Sequence, residues 1–147
     1  MKRKIIIAVV IILLVAGFFG YRMYKEETPD IVNKKPDVKT NVTNLVAAFE
    51  KDTASAIKMY LDKIVEVTGT VKSIDTSGSI ILGDEGTSEV IAGLDRRHLK
   101  DYEKIKVGSI AIIQGVCSGY SKSDGDDLLA SLGATVELRS AGVKNQK

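Results

Sequence analysis

Cysteine, histidine and aromatic residues are scarce in this chain of 147 residues. Because Cys117 is the single cysteine and His98 the single histidine, the chain can form neither an internal disulfide framework nor a metal site of Cys and His ligands. Beyond residue 40 the aromatic residues are few, namely Phe49, Tyr60, Tyr102 and Tyr120. Proteins that bind single-stranded nucleic acid stack bases on aromatic side chains, so this scarcity argues against such a surface.

No sequence pattern for catalysis surrounds His98 or Cys117. No Ser or Cys motif pairs with His98, which we interpret as a residue on the surface of a helix. No residue near Cys117 in sequence would activate its thiol, and we expect a small buried side chain there. The sequence therefore predicts a non-enzymatic protein with no catalytic residue, no metal site and no cofactor, and it singles out no ligand-binding residue.

Clustered carboxylates occur once, in the turn Asp124-Gly125-Asp126-Asp127. Such a cluster suits a hard cation such as Ca²⁺, but this segment lacks the spacing of an established calcium loop and its distal Glu. The sequence favours a polar hairpin turn.

Basic and acidic residues are distributed unevenly along the chain. Residues 1–40 contain eight of the 21 Lys and Arg residues and four of the 19 Asp and Glu residues, which leaves 13 basic and 15 acidic residues beyond. We therefore assign the positive net charge to the N-terminal region and predict a slightly acidic domain. A basic cluster in that domain is interpreted as a solvated helix face; it comprises Arg96, Arg97, Lys100, Lys104 and Lys106.

An apolar run from Ile5 to Gly20 follows the basic start Met1-Lys2-Arg3-Lys4. We predict a transmembrane anchor over residues 1–24, and we favour it over a cleaved signal peptide because bulky side chains occupy most frames of a signal-peptidase site. Basic residues ahead of the run predict a cytoplasmic N-terminus and an extracytoplasmic domain, either periplasmic or at the cell surface.

The remaining boundaries follow from composition and periodicity. Residues 25–42 contain two prolines and no apolar periodicity, which predicts a flexible linker with a reach of about 60 Å. A domain is predicted over residues 43–140, followed by a disordered tail at 141–147.

Within the domain, a helical pattern over residues 43–61 allows a break at Asp52-Thr53 and is followed by period-two segments. The predicted strands cover residues 64–71, 80–82, 89–94, 110–117 and 132–138, with a short helix after Asp95. Gly69 predicts a bend or a close backbone approach. The segment 110–117 is apolar on both faces, so either the helix at 43–61 or a partner protein is expected to cover the second face.

This order predicts a mainly β fold: a five-stranded, OB-like Greek-key barrel with a leading α-helix and a short helix between strands 3 and 4. The stretch LVAAFEKDTASAIKMYLDKIVEVTGTVKSI, followed by VGSIAIIQGVCSGY, resembles the bacterial tRNA_anti-like family of OB-fold domains. The resemblance covers most of residues 43–138. It implies an OB barrel, often exported or membrane-anchored, and it brings no catalytic residues and no defined function.

The sequence therefore predicts a membrane-tethered, extracytoplasmic OB-fold interaction module that acts through protein or envelope-ligand contacts. Its expected partners are the membrane, through the anchor, and a protein partner or a second copy of the chain. The alternative is a single-stranded nucleic-acid-binding domain, which is disfavoured because residues 80–82 and 89–94, where such proteins bind, contain no aromatic, Lys or Arg residue.

Overall fold

A computed structural model describes residues 15–18, 21, 29–84, 86–122 and 133–144 of the chain. The chain divides into two compact units, Met1–Asp30 and Ile31–Lys147. The predicted anchor lies largely outside the described residues, and within them no helix is both long and apolar enough to cross a membrane.

The second unit is built mainly from β-strands. In chain order it contains strand β1 (Val38–Asn41), helices α1 (Val42–Lys51) and α2 (Thr53–Tyr60), strands β2 (Ile64–Asp75), β3 (Ser79–Gly83) and β4 (Glu89–Leu94), a 3₁₀ helix (Arg96–Lys104), and strands β5 (Ile110–Lys122) and β6 (Ala134–Lys144).

Five of these strands close into a barrel in the order β2-β3-β4-β6-β5, with β5 pairing back onto β2. The pairing of β4 with β6 is parallel, and the other barrel pairings are antiparallel. This is the topology of an OB-fold, with a helix between its third and fourth strands. The predicted mainly β fold and the position of that short helix are confirmed.

The predicted helix at 43–61 is two helices that meet at Asp52. The Asp52 carboxylate accepts a hydrogen bond from the backbone N–H of Ser55 at 3.1 Å, which caps the start of α2. Helix α1 begins earlier than expected, because its N-cap is Asn41, whose side chain accepts from the N–H of Asn44 at 2.8 Å.

Helix α1 supplies a large part of the barrel core. Val42, Leu45, Val46 and Phe49 are at most 1% exposed. The Phe49 ring stacks on that of Tyr120 in β5, with 4.9 Å between the ring centroids. Burying these side chains in a common cluster with the inner faces of the strands stabilises the fold.

Gly69 lies where α1 approaches the barrel wall most closely. A Cβ atom at this position would stand 2.5 Å from the Val42 Cγ2 atom, which is closer than two carbon atoms can pack. The predicted close approach is therefore confirmed, and its partner is the first residue of α1.

Residues 31–37, which we term the strap, cover the second apolar face of β5 around Gln114, whereas Ile110 at the start of the strand is 64% exposed on the same face. Gln114 is fully buried on this face, and its Nε2 atom donates to the carbonyl oxygens of Ile31 at 2.7 Å and Lys34 at 2.8 Å. Val32 is 5% exposed and packs against Gly142 of β6. Neither of the covers expected from the sequence, helix 43–61 or a partner protein, occupies this position.

The strap and β1 correct the prediction of a flexible linker over residues 25–42. Val38 and Thr40 pair in parallel with Val65 and Val67 of β2, so the chain is part of the barrel wall well before residue 43. The reason is a contact between residues 27 positions apart: the Asp37 carboxylate accepts from the N–H of Ile64 at 2.9 Å, and this bond anchors the start of β1.

The predicted tail at 141–147 is corrected in the same way. Strand β6 continues to Lys144, and Ala141 and Val143 are buried in the core. Ser140 has a positive φ of 50°, and this irregularity shifts the side-chain alternation, so the period-two pattern expected from the sequence is interrupted there.

We expect Gly69→Ala to lower the free energy of unfolding by about 1–3 kcal/mol, because the added methyl group overlaps the Val42 side chain. In a Val42→Ala background the same change should cost less. Gly93→Ala is the matched control, since its new Cβ meets only the Leu138 carbonyl oxygen at 3.6 Å. Equal effects of Gly69→Ala in both backgrounds, measured by urea unfolding, would contradict the contact.

We expect Gln114→Leu to release the strap, because leucine fills a similar volume but removes the donor to the Lys34 carbonyl and one of the two donors to the Ile31 carbonyl. The free energy of unfolding should fall by about 1–3 kcal/mol. Backbone amides of residues 31–37 should exchange with solvent faster, whereas Ser118→Ala on the exposed side of β5 should leave them unchanged. Unaltered exchange in the Gln114 variant would show that the strap is held by other contacts.

Candidate ligand-binding face

The outer surface of β3 and β4 is the face on which OB-folds bind their ligands. Ile80, Leu82, Val90 and Ala92 point into the core and are 0% exposed, so the alternate residues form the outer surface. Ile81 and Ile91 lie opposite each other across the two strands and are half-buried. The centre of this face is therefore aliphatic.

Carboxylates flank this aliphatic pair. Glu137 of β6 stands beside Ile91 in the register and is exposed, and Glu89 lies on the outer side of β4. Lys72 of β2 contacts the Glu89 carboxylate at 3.5 Å and donates to the backbone oxygen of Gly86 at 2.8 Å. Its positive charge is thus held by neighbouring groups, and the ligand-binding face carries at least as much negative as positive charge.

The aromatic residues lie away from this face. Phe49 forms a buried group with Tyr60, at 5.9 Å between ring centroids, and with Tyr120. Tyr102 belongs to the 3₁₀ helix. Within the described strands β3 and β4, no side chain can therefore stack on a nucleobase.

The basic cluster predicted at residues 96–106 is partly neutralised by carboxylates. Arg97 donates to both Asp95 oxygens at 2.9 Å, and these bonds hold the pKa of the Asp95 carboxyl well below its usual range. Lys104 donates to the Asp101 carboxylate. Arg96 and Lys100 of this cluster are exposed, whereas Arg97 is paired with Asp95.

Asp101 is the centre of a buried polar network that sequence reasoning did not identify. It is 5% exposed, and its carboxylate lies 3.0 Å from His98 Nδ1 and accepts from the backbone N–H of Val143 at 3.3 Å. His98 therefore faces the barrel rather than solvent, which corrects its interpretation as a surface residue. The network fixes the 3₁₀ helix on β6, which is a structural role.

Cys117 is fully buried, as expected, and burial raises the pKa of its thiol to about 11. A thiol with this pKa remains protonated near neutral pH and is a poor nucleophile. Among the described residues no group of His, Cys, Asp and Glu is suited to hold a metal ion. The turn from Asp124 to Asp127 lies outside the described residues.

A second charged cluster lies on another part of the barrel wall, where β1, β2 and β6 present Lys39, Glu66 and Lys144. The Glu66 carboxylate contacts Lys39 Nζ at 3.0 Å and accepts from Lys144 Nζ at 2.7 Å. Burial raises the pKa of Glu66, but the hydrogen bonds from Lys144 and Lys39 outweigh that effect and lower it below its usual value.

The closed barrel, its parallel β4–β6 pairing and its exposed β3–β4 surface define an OB-fold binding domain. The chain belongs to the tRNA_anti-like family, which its sequence matches over residues 1–130. The resemblance drawn from the sequence motifs is thereby confirmed. No curated protein matches the sequence.

Comparison with solved structures finds one that shares the fold, from Klebsiella pneumoniae, and others with lower similarity. A protein of Klebsiella pneumoniae subsp. pneumoniae MGH 78578, provisionally described as a nucleic acid-binding lipoprotein, is 19% identical over 73% of this chain and 91% of its own, with a TM-score of 0.52. An asparaginyl-tRNA synthetase of Entamoeba histolytica is 14% identical over 77% of this chain and 25% of its own, with a TM-score of 0.38. A protein of Leishmania major Friedlin assigned as an aspartyl-tRNA synthetase is 12% identical over 90% of this chain and 26% of its own, also with a TM-score of 0.38. At these identities the similarity concerns the fold alone.

Glu66→Gln should make the protein less sensitive to acid. Because the pKa of Glu66 is lower in the folded than in the unfolded chain, the ionised carboxylate stabilises the fold above its ordinary pKa of 4.5, and this contribution is lost as the pH falls through the lower folded pKa. The variant should be less stable at pH 7 and should lose less stability on acidification. Glu50→Gln, at an exposed position of α1, is the control. Parallel stability–pH curves for wild type and Glu66→Gln would contradict the role of this carboxylate.

Proposed function

We propose that this chain is a membrane-tethered OB-fold interaction module that binds a protein or another envelope ligand on the extracytoplasmic side. The observation that carries the proposal is the composition of the ligand-binding face: two facing isoleucines, Ile81 and Ile91, beside the carboxylates of Glu89 and Glu137. An aliphatic centre with an acidic margin suits an apolar, basic segment of a partner protein.

The same composition disfavours nucleic acid. Phosphate groups require a positive groove, and bases require aromatic or guanidinium platforms, neither of which is present on the described part of this face.

A short tether is part of the proposal. The apolar run supports an anchor through Tyr24, and the barrel unit begins at Ile31, so the proposed tether has at most six residues. Six extended residues span about 20 Å, a third of the reach expected from the sequence alone. Such a tether keeps the module near the membrane and raises its effective concentration toward membrane partners.

Site-specific photocrosslinking in living cells tests this function. A photoreactive phenylalanine analogue at Ile91 should give protein adducts, and the same analogue at Met59, an exposed apolar position on α2, is the matched control. Adducts at Ile91 that disappear when Glu137 is changed to Lys would support recognition of a basic partner. Equal adducts at both positions, or none at Ile91, would contradict the assignment of this face.

Topology and nucleic-acid binding are tested separately. A reporter that is active only outside the cytoplasm, fused after Lys147, should be active. Detergent-solubilised full-length protein should not retain a single-stranded oligonucleotide at low salt. Salt-dependent retention that is lost in the Arg96→Ala, Lys100→Ala double variant would overturn the proposal in favour of a nucleic-acid-binding domain.

A further inference from the structure

We propose that a second surface of the barrel docks on an anionic lipid membrane. This inference rests on the membrane tether of the proposed function and assigns a role to a surface that the ligand-binding face does not use. The surface, termed the lysine-rimmed edge, has Val107, Ile110 and Ile112 at its centre and lysines around them, namely Lys39, Lys104, Lys106 and Lys144.

The apolar centre is displayed by a tight turn. Val107 and Ile110 are 63% and 64% exposed, the largest such values among the exposed apolar side chains of the described barrel. Gly108 has a φ of 84°, and Ser109 Oγ donates to the Lys106 carbonyl at 2.6 Å, so the turn is held in one conformation. The ordered turn keeps these two large apolar side chains exposed, so their apolar surface is removed from water only by contact with another body.

The two carboxylates that pair with the lysines of this rim are buried, whereas Glu103, beside Lys104 in the 3₁₀ helix, is exposed. Glu66 and Asp101 are 8% and 5% exposed, whereas the side chains of their partners Lys39 and Lys104 are 70% and 51% exposed. Lys106 is also exposed and has no ion pair among the described residues. The ammonium groups therefore face outward and the compensating carboxylates face the barrel.

A groove of about 290 Å³ connects the rim to the apolar centre. It is lined by Lys104, Ile110, Ile112 and Lys144, among others. In the register, Ile112 lies between Thr68 of β2 and Lys144 of β6, so no acidic residue interrupts this part of the wall. Apolar side chains that enter the headgroup region, surrounded by lysines that contact lipid phosphates, are the combination by which proteins bind an anionic interface.

The position of the strap favours a membrane as the partner that binds the lysine-rimmed edge. Val32 and Asn33 line a cavity with Lys104 and Lys144, so the chain enters the barrel unit directly beside the lysine-rimmed edge. The proposed anchor precedes the strap in sequence, so this edge lies beside the point at which the proposed tether would join the barrel unit. An acidic peptide shares the charge complementarity but gives no reason for the edge to lie beside the tether.

The test uses the full chain reconstituted in vesicles. A polarity-sensitive fluorophore is attached at Val107→Cys in a Cys117→Ala background, and vesicles of phosphatidylcholine alone are compared with vesicles containing about 30% phosphatidylglycerol. Docking predicts a blue-shifted emission and quenching by lipid-attached quenchers on the anionic vesicles. The same label at Glu137→Cys, on the ligand-binding face, should show the emission of a water-exposed fluorophore on both vesicle types.

Charge variants add a quantitative criterion. Lys106→Glu should lower the ratio of docked to undocked protein about fivefold or more, because each lysine near an anionic surface contributes roughly that factor. Lys58→Glu, on the exposed side of α2, is the matched control and should have no effect beyond general repulsion.

The outcomes separate docking from tethering. Protein that floats with both vesicle types but keeps the fluorophore at position 107 in water overturns docking and leaves the tether intact. Protein that floats with neither overturns both, and protein that floats only with anionic vesicles supports docking without the anchor. A spectral change caused by poly-glutamate in solution, with none on anionic vesicles, would overturn the proposal in favour of an acidic protein partner.

Discussion

Strand β5 imposes the constraint on which the rest of the molecule depends, because both faces of its central part, residues 113–117, are removed from water. Its inner face is satisfied by the barrel core, where Cys117 and Ile113 pack with α1. The outer face holds Gln114 and Val116, and only a segment that brings its own hydrogen-bond acceptors can cover a buried amide. The strap provides those acceptors as backbone carbonyls, and the fold therefore begins at Ile31 rather than at the first helix.

Because the strap belongs to the folded unit, that unit differs from the predicted domain in net charge as well as in length. Residues 31–147 contain 16 Lys and Arg and 16 Asp and Glu, so the folded unit is neutral and not acidic as the sequence suggested. The strap and β1 contribute three of these basic residues, Lys34, Lys35 and Lys39. The negative charge remains on the ligand-binding face. The difference in charge that the sequence assigned to linker and domain is therefore a difference between two surfaces of one domain.

The barrel could be predicted because its signals are local. Period-two alternation identified the five strands, Gly69 marked the close approach, and Asp52 and Asp95 marked helix starts through their capping side chains. The motifs from Leu45 to Tyr120 were sufficient to indicate the family, because they include the core contacts of α1 with the barrel.

The errors arose where a residue's role is set by distant partners. Asp37 and Gln114 are ordinary polar residues in sequence, and their roles depend on Ile64 and Ile31, 27 and 83 positions away. His98 was taken as a surface residue because its burial depends on Gly142 of β6, which is 44 positions away in sequence. The apolar pair Ile31-Val32 was the available signal for the strap, but two residues are too few to show a period. No alternation in sequence indicates the ligand-binding face either, since Ile81 and Ile91 meet only through the pairing of β3 with β4.

The two surfaces have opposite chemistry and lie at opposite ends of the same strand. Glu137 and Lys144 are seven residues apart on β6, a distance of roughly 20 Å along an extended strand. If the lysine-rimmed edge rests on the headgroups, the acidic ligand-binding face is directed away from the membrane and toward partners that approach from the other side. A free domain on a long linker would sample all orientations and lose part of its binding free energy to that freedom. A short tether, with the strap fixing its point of entry, reduces that loss, and this gives a physical reason for a linker segment to be folded into the barrel.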